Sequence, residues 1–381
     1  MIERNISRFL KKSKKSILLL GPRQTGKSTL IQSLNSELNI NLALESTFLK
    51  FARNPDELIQ RLSAKKYKIV FIDEIQRLPG LLNTIQVIID EDKNAPRFYL
   101  TGSSARKLKR GQANLLPGRI HTYFLGALTS KELNYKINTK EALSTGLLPG
   151  IWTEKDIQEK HKTLRSYASI YLKEEIQAEA LTKNIEGFSR FLFVLAAEAG
   201  KFLDITKLSS QASIPRQSAL RYFEILEDTL IVQRCSSFRK SERTRLIQSP
   251  RFFFFDTGVL NALLDNFIVS QDRIGLLFEN LIFNQIFNSA QAMDKPVRIS
   301  SYRTEHGAEV DFILEKDGMV FAIEAKASLN IGKSDLRGFK SFTEYYGKKH
   351  KQYIAYLGNE PRMIDGIKIL PWQMMLEEIG L

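Results

Sequence analysis

The chain is poor in several residues that would place it in familiar classes. Among 381 residues there is one cysteine, Cys235, so neither an intramolecular disulfide nor a cysteine-rich zinc site can form. Preceded by IVQR and followed by SSF, it reads as a packed or half-buried thiol, and such sparing cysteine usage points to the cytoplasm. No run of about 18 apolar residues occurs, which excludes an ordinary membrane-spanning helix. The opening MIERNISRFLKKSKKS is basic but passes straight into ILLL. It has neither the apolar core nor the small-residue cleavage site of a signal peptide. Repeats and low-complexity segments are absent.

Acidic residues are the scarcer charge: 42 Asp and Glu stand against 56 Lys and Arg, a formal net charge of +14. The excess attracts polyanions, of which nucleic acid, DNA ahead of RNA, is the commonest in a cell. The plain alternative is a solubilising surface. The charge is patchy, with Arg106, Lys107, Lys109, Arg110 and Arg119 in one run and Arg239, Lys240, Arg243, Arg245 and Arg251 in another.

What is present suggests three parts: residues 1–150, 151–265 and 266–381. The first alternates short apolar runs (SILLL, INLALE, YKIVFID, RFYLTGS) with amphipathic stretches (KSTLIQSLNSEL, PDELIQRLSAK, LPGLLNTIQVIIDED). That order predicts an α/β unit, a parallel sheet covered by helices on both faces. Pro149-Gly150 marks its end. The second part is helical from about Ile157 to Leu181. It then reads as helix, turn at Ser213-Ile214-Pro215, helix Arg216–Glu227 and strand LIVQRC, the order of a winged helix-turn-helix. The run 252-FFFFD-256 predicts a buried strand, because four exposed phenylalanines would invite aggregation. The third part predicts a second α/β unit: a long helix, strands RISSYR, AEVDFILE and MVFAIEAKA, a further helix, and strand QYIAYL.

The strongest motif is 21-GPRQTGKS-28, which has the phosphate-loop pattern GxxxxGK[ST] between a strand and a helix. Backbone amides of Gly21, Pro22's neighbours Arg23 and Gln24, Thr25, Gly26 and Lys27 would curl around phosphate oxygens, with Thr29 just beyond. Lys27 would reach the β- and γ-phosphates, and Ser28 would ligate Mg²⁺ of a bound ATP. In 68-KIVFIDEIQRLP-79 a buried strand ends in two acids. Asp73 is placed to hold the magnesium and Glu74 to act as general base on water. A third strand ends in Thr-Gly-Ser-Ser, and in a sheet of this type it would lie between the other two. Ser103 then becomes a polar sensor near the γ-phosphate, with ordinary turn chemistry as its plain alternative.

Together, GPRQTGKST, FIDEIQRLP, YLTGSSARKL, LLPGR, FFFFDTGVLNALL and GAEVDFIL resemble AAA-type ATPases that carry a C-terminal DUF4143 domain. The resemblance implies an ATPase core, a winged-helix segment and a C-terminal nuclease-like fold. It also implies that Arg119, after the fourth strand, completes the γ-phosphate site in cis or on a neighbouring subunit of a homo-oligomer.

A second constellation lies near the end. Glu324 and Lys326 are two apart and share a strand face, with Asp311 on a neighbouring strand and Glu279 in a helix. Asp311, Glu324 and Glu279 would hold a divalent metal while Lys326 orients water, the logic of metal-assisted phosphodiester hydrolysis. The set is similar to PD-(D/E)xK nucleases, with Val310 where those have proline. The bland alternative is a folded module with an idle site. In the middle part, Arg216, Gln217, Ser218, Arg221 and Tyr222 open the second helix and would meet bases or phosphates, with 239-RKSERTR-245 as the wing. Packing or protein recognition is the alternative use. Two functions follow: an ATPase associated with nucleic acid, or an ATP-gated switch for a protein partner with an inert nuclease-like module. A small-molecule kinase is disfavoured by Glu74.

Overall fold

The computed structural model describes residues 2–103, 116–171, 184–238 and 249–381, with the backbone alone at 170 and 171. The basic run 106–110, the expected wing 239–245 and the stretch 172–183 lie outside the described residues.

Five short apolar runs form a parallel sheet: β1 (Ser16–Leu20), β2 (Leu38–Asn41), β3 (Ile69–Asp73), β4 (Arg97–Gly102) and β5 (Ile120–Phe124). Their order is β2-β3-β4-β1-β5. Successive residues of a strand point to opposite faces, and here both sets are apolar. Leu18, Val70, Ile72 and Leu100 pack beneath the helices Glu57–Ala64 and Leu81–Glu91, while Ile17, Leu19, Phe71 and Tyr99 pack beneath Ser7–Lys12 and Lys27–Gln32. Helices therefore cover both faces, as the alternating pattern predicts. The third of the motif-bearing strands, β4, lies between β3 and β1, so the three carboxyl ends carrying the motifs stand side by side. In open parallel sheets ligands bind at those ends.

The helix expected over KSTLIQSLNSEL stops at Gln32; Asn35 takes a left-handed backbone (φ 57°) and Leu38 already begins β2.

A second sheet is mixed and has eight strands: β6 (Val232–Ser237), β7 (Arg251–Phe254), β8 (Val297–Arg303), β9 (Glu309–Lys316), β10 (Met319–Lys326), β11 (Lys351–Tyr356), β12 (Arg362–Ile364) and β13 (Ile367–Pro371). The order is β12-β13-β11-β10-β9-β8-β6-β7. The antiparallel meander β8-β9-β10 and the parallel β11 follow the expected order. The middle part contributes to this sheet, because β6 pairs in parallel with β8 through Ser236 and Ser237. No break in the core falls near residue 265. Phe252, Phe253 and Phe254 of β7, Phe283 of the long helix Ile274–Ala292, and Phe312 of β9 belong to one buried cluster. That cluster also takes in Leu147 and Leu148, and Asp256 accepts a 2.7 Å hydrogen bond from the Leu147 amide across the chain.

Ahead of β6 the helices Ile205–Gln211 and Arg216–Asp228 flank a turn with Ser213 left-handed (φ 52°) and Pro215 as N-cap. Proline cannot sit inside the first helix, so the chain turns where the sequence predicts. Arg216, Gln217 and Arg221 are exposed and Ser218 is half-buried. Tyr222 corrects the expectation: it is 4% exposed, packs on Phe188 and Phe191, and cannot reach a nucleic acid. The helical pitch turns position 222 inward from 221.

Candidate nucleotide site and the C-terminal acid cluster

The loop Gly21–Gly26 leaves β1 and enters the helix Lys27–Gln32 with two left-handed residues, Gln24 (φ 60°) and Gly26 (φ 88°). Gly26 bears that conformation at no steric cost. Gly21 is required for another reason: a Cβ there would lie 2.1 Å from the Leu125 carbonyl oxygen, whose own amide is tied to Leu20 at 2.8 Å. The Lys27 ammonium, 5% exposed, donates to the carbonyls of Gly21 and Pro22 at 2.8 Å each. The buried Thr25 hydroxyl donates to the Pro22 carbonyl at 2.8 Å, which closes the loop on itself. Arg23 is half-buried and Gln24 exposed.

Ser28, the first hydroxyl of the helix, donates to Asp73 Oδ1 at 2.9 Å. Thr101 of β4 donates to the same oxygen, and its own oxygen accepts the Glu74 amide at 3.2 Å. The ends of β1, β3 and β4 thus meet in one hydrogen-bonded knot. A hydroxyl and a carboxylate in contact, both hard oxygen donors, suit Mg²⁺. Glu74 sits beside them in a left-handed conformation (φ 58°), a costly state for a non-glycine residue and common at functional sites. Its carboxylate has a different partner from Asp73's. The Gln76 amide holds it, donating to Glu74 Oε2 and to Ser103 Oγ, the latter at 3.0 Å. Gln76 is 3% exposed. Lys27, Ser28, Asp73, Glu74 and Ser103, predicted from three separate segments, are brought together.

Arg119 is not among them. It precedes β5, whose Ile120 pairs with Ser16 at the start of β1, whereas the loop leaves from the end of β1. Five residues of strand separate the two, about 16 Å. There Arg119 makes a two-pronged ion pair with Asp90, at 2.5 and 2.8 Å. The pairing holds Asp90 below the usual carboxylate range. Arg119 therefore has no place in the γ-phosphate site of its own chain.

Arg4 was not anticipated. Its guanidinium, 7% exposed, donates to Thr25 O at 2.7 Å and Gly126 O at 2.9 Å, and pairs with Glu132 at 3.0 Å. It clamps the loop to the segment leaving β5. Beside it opens a cleft of about 420 Å³ lined by Ile2, Arg4, Gly26, Thr29, Leu30 and Pro149 among others. Pro149, read as a boundary marker, starts a short helix whose ring lies about 4.0 Å from where a Gly26 Cβ would stand.

The C-terminal acids also converge, but around a different cation. Asp311 and Glu324 face each other across β9 and β10, with the Asp311 amide donating to Glu324 at 3.2 Å and Ala325's amide to Asp311 at 2.9 Å. Lys326 lies 3.8 Å from Glu324 on the same strand. Between Asp311 and Glu279 stands Arg251, the first residue of β7. It donates to Asp311 Oδ1 at 3.1 Å, to Glu279 Oε2, and through Nε to Gly200 O at 2.6 Å, with Glu309 at 3.7 Å. Burial alone would lower the Arg251 pKa, but the charges of Glu279, Asp311 and Glu309 raise it. Burial and then Asp311 push Glu279 up to about 7 and Glu324 well above the usual range. Burial acts against Asp311 too, yet its bond with Glu324 and the Arg251 charge hold it low. Among the described residues no group of three or more His, Cys, Asp or Glu side chains is arranged to hold a metal ion. The expectation of a divalent metal on Glu279, Asp311 and Glu324 finds no support: the acids are present, but the Arg251 guanidinium stands between Glu279 and Asp311. Arg251 had been read only as one of a basic run.

Residues 13–134 match the family model of an AAA domain, 137–268 that of a domain of unknown function, DUF8612, and 274–375 that of another, DUF4143. Two relatives, the uncharacterized proteins Rv2008c of Mycobacterium tuberculosis and Mb2031c of Mycobacterium bovis, are each 26% identical over 320 residues, covering 81% of this chain and 70% of theirs. Among solved structures, a signal-transduction ATPase with a tetratricopeptide-repeat sensor from Pyrococcus horikoshii aligns at a TM-score of 0.27 and 10% identity. It covers 75% of this chain, which spans 46% of that one. The replication initiator DnaA bound to AMPPCP and single-stranded DNA aligns at 0.28 and 12% identity, over 60% of this chain and 90% of its own. Likeness at such scores bears on neither fold nor function. Among the described residues no helix is long and apolar enough to cross a membrane. The chain thus carries the sequence signatures of an AAA domain and a DUF4143 domain, in that order.

Proposed function

We propose that the chain binds ATP at Gly21–Thr29 and hydrolyses it with Glu74 as general base, and that the energy serves a nucleic-acid-associated task. One observation carries the hydrolytic reading: Ser28 and Asp73 are in contact at 2.9 Å, while Glu74, one residue on, is held by Gln76. Magnesium, when bound, neutralises charge on the β- and γ-phosphates. Ser28 and Asp73 are the residues that would hold it. The loop amides and Lys27 bind the phosphates. Glu74 takes a proton from water, and Gln76 and Ser103 fix the carboxylate that takes it. The cleft beside Arg4 and Pro149 has the size and apolar lining to receive the base. A phosphoryl-transfer role to a small molecule is disfavoured, because a second carboxylate beside the Ser28–Asp73 pair suits activation of water.

Support for nucleic acid is the net charge of +14 and the exposed Arg216, Gln217 and Arg221 at the start of the second helix of a helix–turn–helix. A helix–turn–helix followed by the antiparallel β6-β7 hairpin is the order of a winged helix. Arg251 among the C-terminal acids favours the second reading in one respect: a nuclease-like module that does not cut, and that passes the ATP state to DNA or a protein partner. Arg119, half-buried at the far end of the sheet and paired with Asp90, would meet a nucleotide on a neighbouring copy rather than its own. ATP turnover measured with and without DNA tests the reading. The wild type should turn ATP over faster on DNA, and Lys27→Ala should do neither. Turnover indifferent to both DNA and RNA would favour the protein-partner switch.

A further inference from the structure

We infer that Arg251 is the resident cation of the C-terminal acid cluster, a built-in guanidinium standing where a divalent metal would, so that this site latches β7 at the sheet's edge to β9 and to the long helix, and performs no hydrolysis. The inference is independent of ATP hydrolysis.

Three observations carry it. The first is saturation. Arg251 is 4% exposed, and its Nε, Nη1 and Nη2 all have partners: Gly200 O at 2.6 Å, Asp311 at 3.1 Å and Glu279. A guanidinium presents its donors in a fixed fork, so satisfying it from three directions requires acceptors already placed around it. The second is that the acceptors are the wrong way round for a metal. The Asp311 oxygen and the Glu279 oxygen that would converge on an ion each point at an N–H, and Asp311's other oxygen accepts the Ala325 amide at 2.9 Å. A dication would have to enter beside a fixed positive charge in a space with little water, where like charges repel strongly. The third is connectivity. Arg251 opens β7, which pairs with β6 through Cys235, while Asp311 lies on β9 and Glu279 on the long helix. One side chain therefore ties the hairpin, a central strand and the helix covering them. Removing one partner of such a buried pair leaves the other uncompensated.

Arg303 pairs with Glu309 at 3.5 Å and Lys326 lies near Glu324, so further cations of the chain itself flank the cluster.

The test counts Mn²⁺ ions bound per full-length chain by calorimetry, beside a plasmid-nicking assay in the same buffer. Wild type and Asp311→Asn should bind equal numbers of Mn²⁺ and neither should nick. Arg251→Met keeps an unbranched apolar stem and removes the charged guanidinium; it should gain one Mn²⁺, lost again in Arg251→Met with Asp311→Asn. A folded Arg251→Met that gains no ion overturns the inference. So does a wild type that loses an ion, or a nicking activity, on Asp311→Asn. Should Arg251→Met fail to fold, the wild-type comparison decides alone, with Glu279→Gln as its second variant: equality supports the latch, loss overturns it.

Discussion

At the scale of single residues, the ends of β3 and β4 separate roles that look alike in sequence. Asp73 and Glu74 are adjacent acids, yet one is buried against Ser28 and Thr101 and the other, on a left-handed backbone, is held by Gln76. Glu74→Gln should therefore leave ATP binding intact and lower kcat about 100-fold or more, the usual range for losing a general base. Gln76→Leu tests the positioning contact: kcat should fall with KM nearly unchanged, and Gln76→Asn should not restore it, because the shorter amide cannot reach both Glu74 and Ser103. The opposite outcome, a loss of ATP affinity alone, would show that Gln76 only supports the fold. Cys235 offers a check of packing. It is 0% exposed, and burial pushes its thiol up to about 12. A maleimide should leave the native protein unlabelled and label it fully in denaturant, since the reactive thiolate is absent and inaccessible.

Much at this scale was legible. GPRQTGKS and FIDE name their own chemistry because phosphate and magnesium demand particular atoms at particular spacings. Gln76 was in plain view two residues after Glu74, but a contact between Gln76 and Ser103 depends on β4 lying beside β3, which single residues do not announce. Arg251 was hidden for a related reason: a lone arginine in a basic stretch looks solvated until the sheet folds three acids around it.

Among elements, the phosphate loop owes its shape to close approach as much as to turn chemistry. Gly21→Ala would drive a Cβ to 2.1 Å from a backbone oxygen of Leu125. Neither strand can yield without breaking β1-β5 pairing, so this variant should lose about 1–3 kcal/mol of stability in chemical denaturation, together with nucleotide binding. The helix–turn–helix makes its own prediction. Arg216→Ala and Arg221→Ala should each weaken DNA binding and reduce the slope of log affinity against log salt by about one, if each meets a phosphate. An unchanged slope in both would assign the helix to packing or a protein partner. Elements with a sustained period were read well. Among those missed were short ones, such as the helices Ser7–Lys12 and Glu45–Arg53, the strand β5 and the hairpin β12-β13. That hairpin turns at Asp365-Gly366, both with positive φ (49° and 81°), the Asp-Gly pair that favours tight hairpins. That signal was available.

For the whole molecule, one buried cluster joins the middle and C-terminal parts and reaches back to residues 127–148. Trp372 lies in it at 3% exposure, and its indole N–H donates to Thr139 Oγ1 at 2.8 Å across 233 positions of sequence. Trp372→Ala should cost about 3–5 kcal/mol. It should also shift a single melting transition of the second sheet and the 139–145 helix together, followed by calorimetry; two separated transitions would show that these parts fold independently. Long-range sharing of this kind is not written in local periodicity, which is why three tidy segments could be expected where one buried cluster draws on residues of all three. The first sheet, by contrast, keeps its own two buried clusters, and among the described residues its ties to the rest of the chain include the Phe124–Phe287 ring contact and the Gln285 side chain, which meets the Ser130 amide at 2.7 Å. The measurement that bears most directly on the account is calorimetric titration of ATP with magnesium into wild type and Lys27→Ala. Saturable binding at one site per chain in the wild type, abolished in Lys27→Ala, is the predicted result; no measurable heat in the wild type, or equal binding by both proteins, would contradict it.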